Sequence, residues 1–168
     1  RQMCIRDRDN DIFCFNVESA VELEIINELA AAKHKVASIA LRINPEVDAH
    51  THAKITTGMK ENKFGINLSQ LGGVLDKLKE MKNVKLIGIH SHIGSQITDM
   101  SSFRNLVIRF NEIQEELEAH GVTVENLNFG GGLGIDYYHP NHLSIPAFDN
   151  YFAAIHKLLQ VRPGQQVH

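Results

Sequence analysis

Apolar residues along the chain fall into short continuous runs that alternate with longer stripes at helical spacing. The short runs predict strands, because buried strands read as brief hydrophobic segments, and the stripes predict amphipathic helices. The predicted strands cover 12–15, 38–43, 85–90 and 125–129. The predicted helices cover 19–33, 69–81, 101–120 and 146–160.

Capping residues mark the ends of two of these helices. Ser19 with Glu22 three residues later matches a capping box, so the first helix should begin there. Ser101 or Ser102 is expected to cap the third helix, and Gly121 stands where a glycine commonly ends one.

Strand and helix therefore alternate four times. Such alternation predicts an α/β fold of right-handed βαβ units around a parallel sheet, which is either open or closed into a barrel. In both arrangements, functional residues lie just after the carboxyl ends of the strands.

Composition narrows the classes of protein. The 168 residues are 43% hydrophobic, which is enough for one domain with a core, and the net charge of −3 argues against a nucleic-acid partner or an anionic membrane surface. No apolar run approaches the ~20 residues that a membrane span needs. Two cysteines, Cys4 and Cys14, exclude a disulfide framework and favour the cytoplasm. Ten histidines are unusual.

A triple glycine, Gly130 to Gly132, follows the fourth predicted strand. Glycines at a strand end let backbone N–H groups approach an anion, so a phosphate site is one interpretation and a tight structural turn is the other. Neither a dinucleotide-binding fingerprint nor a Walker A loop can be read here.

Two histidines at the end of the third strand have three interpretations. His90 and His92 could share a face and bind a metal, as in metal-dependent barrel hydrolases. His92 or His90 could instead stack on a flat cofactor, or one ring could be buried and the other solvated. His50 and His52 repeat the spacing, but no carboxylate or cysteine is placed to complete a metal site.

Lys63 and Cys14 are weaker candidates for chemistry. A desolvated Lys63 could act as a Schiff-base nucleophile, although most lysines near a loop end are solvated or paired with an acid. Cys14 lies within an apolar run, which favours packing over nucleophilic chemistry.

Five sequence strings resemble one family, in its order and with suitable spacing. They are FNVES at 15–19, LRINP at 41–45, TH with ITTG and NKFGI within 51–66, GIHSHIGSQI around 89–97, and NFGGGLGIDY at 128–137. The chain resembles the barrel-fold pyridoxal-phosphate decarboxylases, specifically the diaminopimelate decarboxylase branch, over nearly everything from residue 10 onward.

The resemblance implies roles for individual residues. His92 matches the residue that stacks on the ring of pyridoxal 5'-phosphate. Ser95 and the backbone of Gly130–Gly132 match phosphate-binding positions, and Arg42 matches an arginine near the pyridine side of the cofactor. Lys63 matches the NKFG string but not the family's Schiff-base lysine.

The resemblance also implies that much of the family's architecture lies outside this chain. A complete barrel takes ~250 residues. We therefore expect 1–9 to be a disordered or foreign tail and 10–168 to be a partial (β/α)8 barrel, an internal fragment without the first strands or the carboxyl-terminal β domain. No catalytic residue is expected in this fragment, since the Schiff-base lysine is absent, and the fragment alone should be inactive.

The implied parent enzyme converts meso-diaminopimelate to L-lysine and CO₂, as a homodimer acting on a small amino acid. Related decarboxylases of ornithine, arginine or carboxynorspermidine are alternatives within the family. A non-catalytic pyridoxal-phosphate-binding protein and a metal-dependent hydrolase using His90 and His92 are alternatives of other classes.

Overall fold

The computed structural model describes residues 12–47, 64–139 and 148–168. The predicted tail at 1–9, together with Cys4, His50, His52 and Lys63, lies outside these ranges, as does the predicted start of the last helix at 146.

Strands and helices alternate through the described part of the chain. The strands are β1 (Phe15–Val17), β2 (Ala37–Asn44), β3 (Ile66–Asn67), β4 (Val84–His90), β5 (Asn126–Asn128) and β6 (Gln166–Val167). The helices are α1 (Ala20–Ala32), α2 (Leu68–Glu80), α3 (Met100–Ala119) and α4 (Phe148–Leu158).

The strands form a parallel sheet whose spatial order follows the chain. The order is β1-β2-β4-β5-β6, and the short β3 pairs with the end of β2. Because each right-handed crossover adds the next strand on the same side, the helices all lie on one face of the sheet. In a doubly wound sheet the strand order would reverse at one point along the chain. The order here does not reverse, so the sheet is an arc of barrel type, and the prediction of a partial barrel is confirmed.

The hydrophobic core lies between the sheet and the helices. Alternate strand residues Val17, Leu41, Ile89 and Leu127 are at most 1% exposed and join one cluster with the buried faces of the helices. Aromatic rings close the β5 end of this core, where Phe110 and Phe129 stack with their centroids 4.2 Å apart.

Local signals at the helix ends were correct in part. The hydroxyl of Ser19 accepts a hydrogen bond from the Glu22 N–H at 3.1 Å, and Gly121 follows α3 with a φ of +74°, as predicted. The cap of α3 is Asp99 rather than Ser101 or Ser102, because its carboxylate accepts from the Ser101 N–H at 2.8 Å.

The strands of the structure differ more from the predicted ones than the helix ends do. The first strand begins at Phe15 rather than residue 12, and β3 and β6 were not predicted. Both missed strands are two residues long, too short to show any periodicity.

Candidate active site

A row of polar side chains crosses the face of the sheet that the helices do not cover. Glu18, Arg42, His90 and Asn128 each directly follow the core residue of their strand. The register pairs Arg42 with His90 and His90 with Asn128. Since side chains alternate between faces, this row lies on the inner side of the barrel arc, at the carboxyl ends of the strands.

Arg42 is held at one end of this row by two neighbours. Its guanidinium donates to the Glu18 carboxylate at 2.6 Å, and it stands 5.5 Å from the centre of the Phe64 ring. The Arg42 side chain is 19% exposed, so the pair is partly shielded from solvent and fixes both side chains on the inner face.

His90 occupies the middle of the row as a neutral ring. Its Nδ1 is buried and has no hydrogen-bond partner among the described residues. The pKa of His90 falls from the usual 6.5 to about 4, chiefly because burial disfavours the charged imidazolium. The charges of Arg42 and His92 lower this pKa as well, whereas Glu18 acts to raise it.

His92 follows β4 and connects it to the glycine loop, which we define as residues 130–134. Its Nδ1 lies 2.9 Å from the carbonyl oxygen of Gly130. A carbonyl oxygen only accepts, so Nδ1 carries the proton, and this bond sets the orientation of the partly buried ring. The glycine loop after β5 therefore helps to orient the His92 ring, although His92 itself follows β4.

Three consecutive glycines give this loop a backbone that other residues rarely adopt. Gly130, Gly131 and Gly132 have φ values of +71°, +68° and +95°. A Cβ on Gly130 would lie 2.3 Å from the Ser91 carbonyl oxygen, and one on Gly132 would lie 2.2 Å from the Gly94 oxygen. The loop after β5 thus packs backbone to backbone against the loop after β4, which only glycine permits.

The middle of the glycine loop is open. A Cβ on Gly131 would meet nothing within 4 Å. The Gly130 N–H is taken by the Asn128 side chain at 2.8 Å, but no hydrogen bond within the described residues uses the N–H groups of Gly131 and Gly132. Successive unpaired N–H groups in left-handed conformation form a concave site suited to an anion, so these residues fit a phosphate group.

The remaining predicted residues lie on both sides of this loop. Ser95 is exposed in the loop after β4, next to Gly94, whose carbonyl approaches Gly132. Arg42 lies on β2, with β4 standing between it and the β5 loop. The structure thus brings His92, Ser95 and Gly130–Gly132 together and sets Arg42 apart, on the inner face.

The metal interpretation of the paired histidines gains no support. Across residues 12–47, 64–139 and 148–168, no group of three or more His, Cys, Asp or Glu side chains could hold a metal ion. His92 is instead engaged by a carbonyl oxygen through Nδ1. No helix within these same ranges is long and apolar enough to span a membrane.

Cys14 and the inner-face residues complete the survey of candidates. Cys14 is partly buried, and burial raises the pKa of its thiol, which disfavours the reactive thiolate. Glu18, Asn128 and Gln96 were not singled out from the sequence. Their common signal is a polar residue immediately after a strand or within the turn that follows it.

A polar inner face, a positioned imidazole and a glycine loop at the carboxyl ends of the strands are features of barrels that bind phosphorylated cofactors. The model of the pyridoxal-binding domain of pyridoxal-dependent decarboxylases matches residues 4–167. The chain belongs to this family, whose cofactor is pyridoxal phosphate.

Relatives from several organisms share the sequence. Diaminopimelate decarboxylase from Bacteroides thetaiotaomicron is 60% identical over 157 residues, which is 94% of this chain and 41% of that protein. The enzyme of the same name from Haemophilus influenzae is 43% identical over 82% of this chain and 33% of its own length. The chain thus spans well under half of the curated relatives that it matches.

Solved structures agree with the fold. Diaminopimelate decarboxylase from Helicobacter pylori in complex with L-lysine is 32% identical, with a TM-score of 0.86 over 98% of this chain and 41% of that one. The Methanocaldococcus jannaschii enzyme, also with L-lysine, is 35% identical and has a TM-score of 0.83 over 99% of this chain and 39% of that one.

Proposed function

We propose that the glycine loop binds the phosphate of pyridoxal 5'-phosphate and that the His92 ring stacks on its pyridine. The observation that carries this proposal is the coupling of the two groups through the Nδ1 to carbonyl bond between His92 and Gly130. That bond fixes a flat ring beside the backbone N–H groups of Gly131 and Gly132, which have no hydrogen-bond partner in the part of the chain that the structure describes. Ser95 is exposed and directly follows Gly94, whose carbonyl oxygen approaches Gly132, and we propose that its hydroxyl adds a further hydrogen bond.

Each group then has a limited role. The N–H groups of Gly131 and Gly132 would donate hydrogen bonds that hold and orient the phosphate, and His92 would cover one face of the ring and shield it from water. Arg42, held by Glu18, supplies a fixed positive charge on the inner face towards the pyridine side. Bound pyridoxal phosphate supplies an electron sink for the carbanion left when a carboxylate departs as CO₂.

The whole protein is proposed to decarboxylate meso-diaminopimelate to L-lysine. Relatives at 60% and 43% identity carry the name diaminopimelate decarboxylase, and two solved relatives hold L-lysine. We assign the described residues to cofactor binding, and none of them to proton transfer or covalent attachment. Ornithine, arginine and carboxynorspermidine are the alternative substrates, because none of the assigned residues selects between amino-acid side chains.

The remaining properties of the whole protein follow the same proposal. We propose a homodimer in the cytoplasm that acts on a small amino acid. Residues 10–168 would form part of its cofactor-binding barrel.

The experiment uses the protein expressed from the longest reading frame that contains this chain, here called the parent protein. CO₂ release is measured with pyridoxal phosphate and, separately, meso-diaminopimelate, ornithine, arginine and carboxynorspermidine. We expect release from meso-diaminopimelate with a kcat/KM at least 100-fold above the other three. Release chiefly from another amine would overturn the substrate assignment, and release from none would overturn the proposed activity.

A further inference from the structure

Gln96 joins the loop after β4 to Ile135, the residue directly after the glycine loop, through its side chain. Its amide nitrogen donates to the Ile135 carbonyl at 3.2 Å, and its side-chain oxygen accepts from the Ile135 N–H at 2.7 Å. One side chain therefore satisfies both backbone groups of a residue 39 positions away, as a paired strand would.

The backbone of Gln96 shows that this contact is maintained against a local preference. Its φ is +59°, in the left-handed region that a residue with a Cβ enters only at a cost in free energy. Such strain persists where surrounding contacts fix the conformation, and it concentrates at binding sites. The two bonds to Ile135 are contacts of that kind.

The Gln96 contact extends a short ladder between the two loops. The Ile97 N–H donates to the Gly132 carbonyl at 3.0 Å, and the Gly134 N–H donates to the Ile97 carbonyl at 2.9 Å. Ile97 and Leu133 form an isolated parallel bridge there. A Cβ built on Gly131 would meet nothing within 4 Å beyond its chain neighbours, so its position depends on Gly130, which His92 and Asn128 hold, and on Gly132, which this ladder holds.

We propose that Gln96 is a positioning residue that sets the glycine loop for binding the cofactor's phosphate. The proposal rests on the function proposed above and adds the device that preorganises the anion site. Three glycines in succession lose more conformational freedom on ordering than other residues. A side chain that orders them beforehand removes part of this cost from the binding step, so Gln96 should strengthen the binding of a phosphorylated ligand specifically.

The test compares pyridoxal phosphate with pyridoxal, which lacks the phosphate. Dissociation constants for both are measured on the parent protein and on its Gln96→Ala, Gln96→Gly and Gln96→Glu variants. Gln96→Gly removes the side-chain bonds and also relieves the positive φ. Gln96→Glu keeps an acceptor for the Ile135 N–H but places a carboxylate oxygen against the Ile135 carbonyl. Gln70→Ala, on the exposed surface of α2, is the control.

We expect Gln96→Ala and Gln96→Gly to weaken the binding of pyridoxal phosphate about tenfold. The affinity of Gln96→Glu for pyridoxal phosphate should lie between that of these variants and that of the unaltered protein. Gln70→Ala should leave this affinity unchanged. Pyridoxal affinity should stay within about twofold throughout. Amide exchange at Ile135 should accelerate in the weakened variants, because their loop is less ordered.

Two results would overturn the proposal and are distinguishable from failure of the proposed function. Equal losses for pyridoxal phosphate and pyridoxal would show a general structural role, and unchanged affinities would show that the contact is unnecessary. Failure of the unaltered protein to prefer pyridoxal phosphate over pyridoxal would instead contradict the phosphate site itself. If Gln96→Ala does not fold, as judged by the loss of its thermal transition, the Gln96→Glu variant decides instead. A selective loss of affinity for pyridoxal phosphate over pyridoxal in that variant supports the proposal, and equal or no losses overturn it.

Discussion

The two faces of the same parallel sheet differ sharply in chemistry. On the helix side, Leu41 and Ile89 are fully buried in the hydrophobic cluster. One residue further along the same strands, Arg42 and His90 lie on the inner side. Arg42 forms an ion pair with Glu18, and the buried Nδ1 of His90 has no hydrogen-bond partner within the ranges that the structure describes.

The chemical difference between the two faces assigns stability to one residue of a strand and ligand binding to the next. The outer face supplies stability, because burial of aliphatic side chains under helices is the main favourable contribution to folding. The inner face and the loops beyond it carry the groups proposed for binding. There the His90 Nδ1 and the Gly131 and Gly132 N–H groups have no hydrogen-bond partner among the described residues. Substitutions on the two faces should therefore affect different measurements.

The largest loss of stability is expected from the outer face. Leu41→Ala removes a side chain with no exposed surface and should cost about 2–5 kcal/mol of unfolding free energy, measured by urea denaturation of the parent protein. Asn16→Ala is the matched control on the inner side of β1, where Asn16 is exposed, and it should stay within about 0.5 kcal/mol. Equal losses at both positions would contradict the division between the faces.

The next effect is expected within the glycine loop. Gly130 and Gly131 have nearly equal φ values, but a Cβ at 130 meets the Ser91 carbonyl at 2.3 Å and one at 131 meets open space. Gly131→Ala should cost about 1 kcal/mol of backbone strain, and Gly130→Ala should cost about 1–2 kcal/mol more because of overpacking. Urea denaturation measures both, and a larger loss at 131 would refute the close approach of the loops.

A pH effect is expected from His90. Its pKa is about 4 in the folded protein and 6.5 when unperturbed, so between these values the unfolded chain binds more protons. Stability contributed by the neutral ring is complete above pH 6.5 and declines as the pH falls towards 4. His90→Gln should lower the slope of unfolding free energy against pH by the contribution of up to one proton in this range. The histidine pKa can be followed by NMR, and a value at or above 6.5 would show that the ring is not held neutral.

The smallest effect is expected on the solvent side of the helices. Lys77 and Glu24 lie 2.5 Å apart between α2 and α1, but both side chains are about half exposed. Lys77→Met should therefore change the unfolding free energy by less than about 1 kcal/mol, and less still at high salt. A loss comparable to that of Leu41→Ala would mean that surface charge, not the core, holds these helices.

Much of this organisation could be predicted from the sequence, because it is local. Apolar runs and stripes predicted the alternating elements, and three glycines after a strand predicted a loop with unusual backbone conformation, which their positive φ values confirm. The pairing of Arg42 with Glu18 could not be read in that way, since it joins residues 24 positions apart across two strands. The role of Gln96 likewise depends on a loop 39 residues away, which no local pattern reveals.

The predicted cap of α3 was wrong and β6 was missed, and both errors have a physical reason. Asp99 caps α3 because the helix begins at Met100, before both serines, and the Asp99 carboxylate accepts from the Ser101 N–H. β6 has two exposed residues, and only its hydrogen bonds to β5 define it as a strand, with the Gln166 N–H donating to the Glu125 carbonyl at 2.8 Å.

The central claim is that the Gly131 and Gly132 N–H groups bind the phosphate of pyridoxal phosphate. Amide hydrogen exchange at these two glycines tests it directly, in the parent protein with and without the cofactor. We predict that both amides become protected with pyridoxal phosphate and stay unprotected with pyridoxal. Unchanged exchange at both glycines, in protein shown by its absorbance to hold pyridoxal phosphate, would contradict the account.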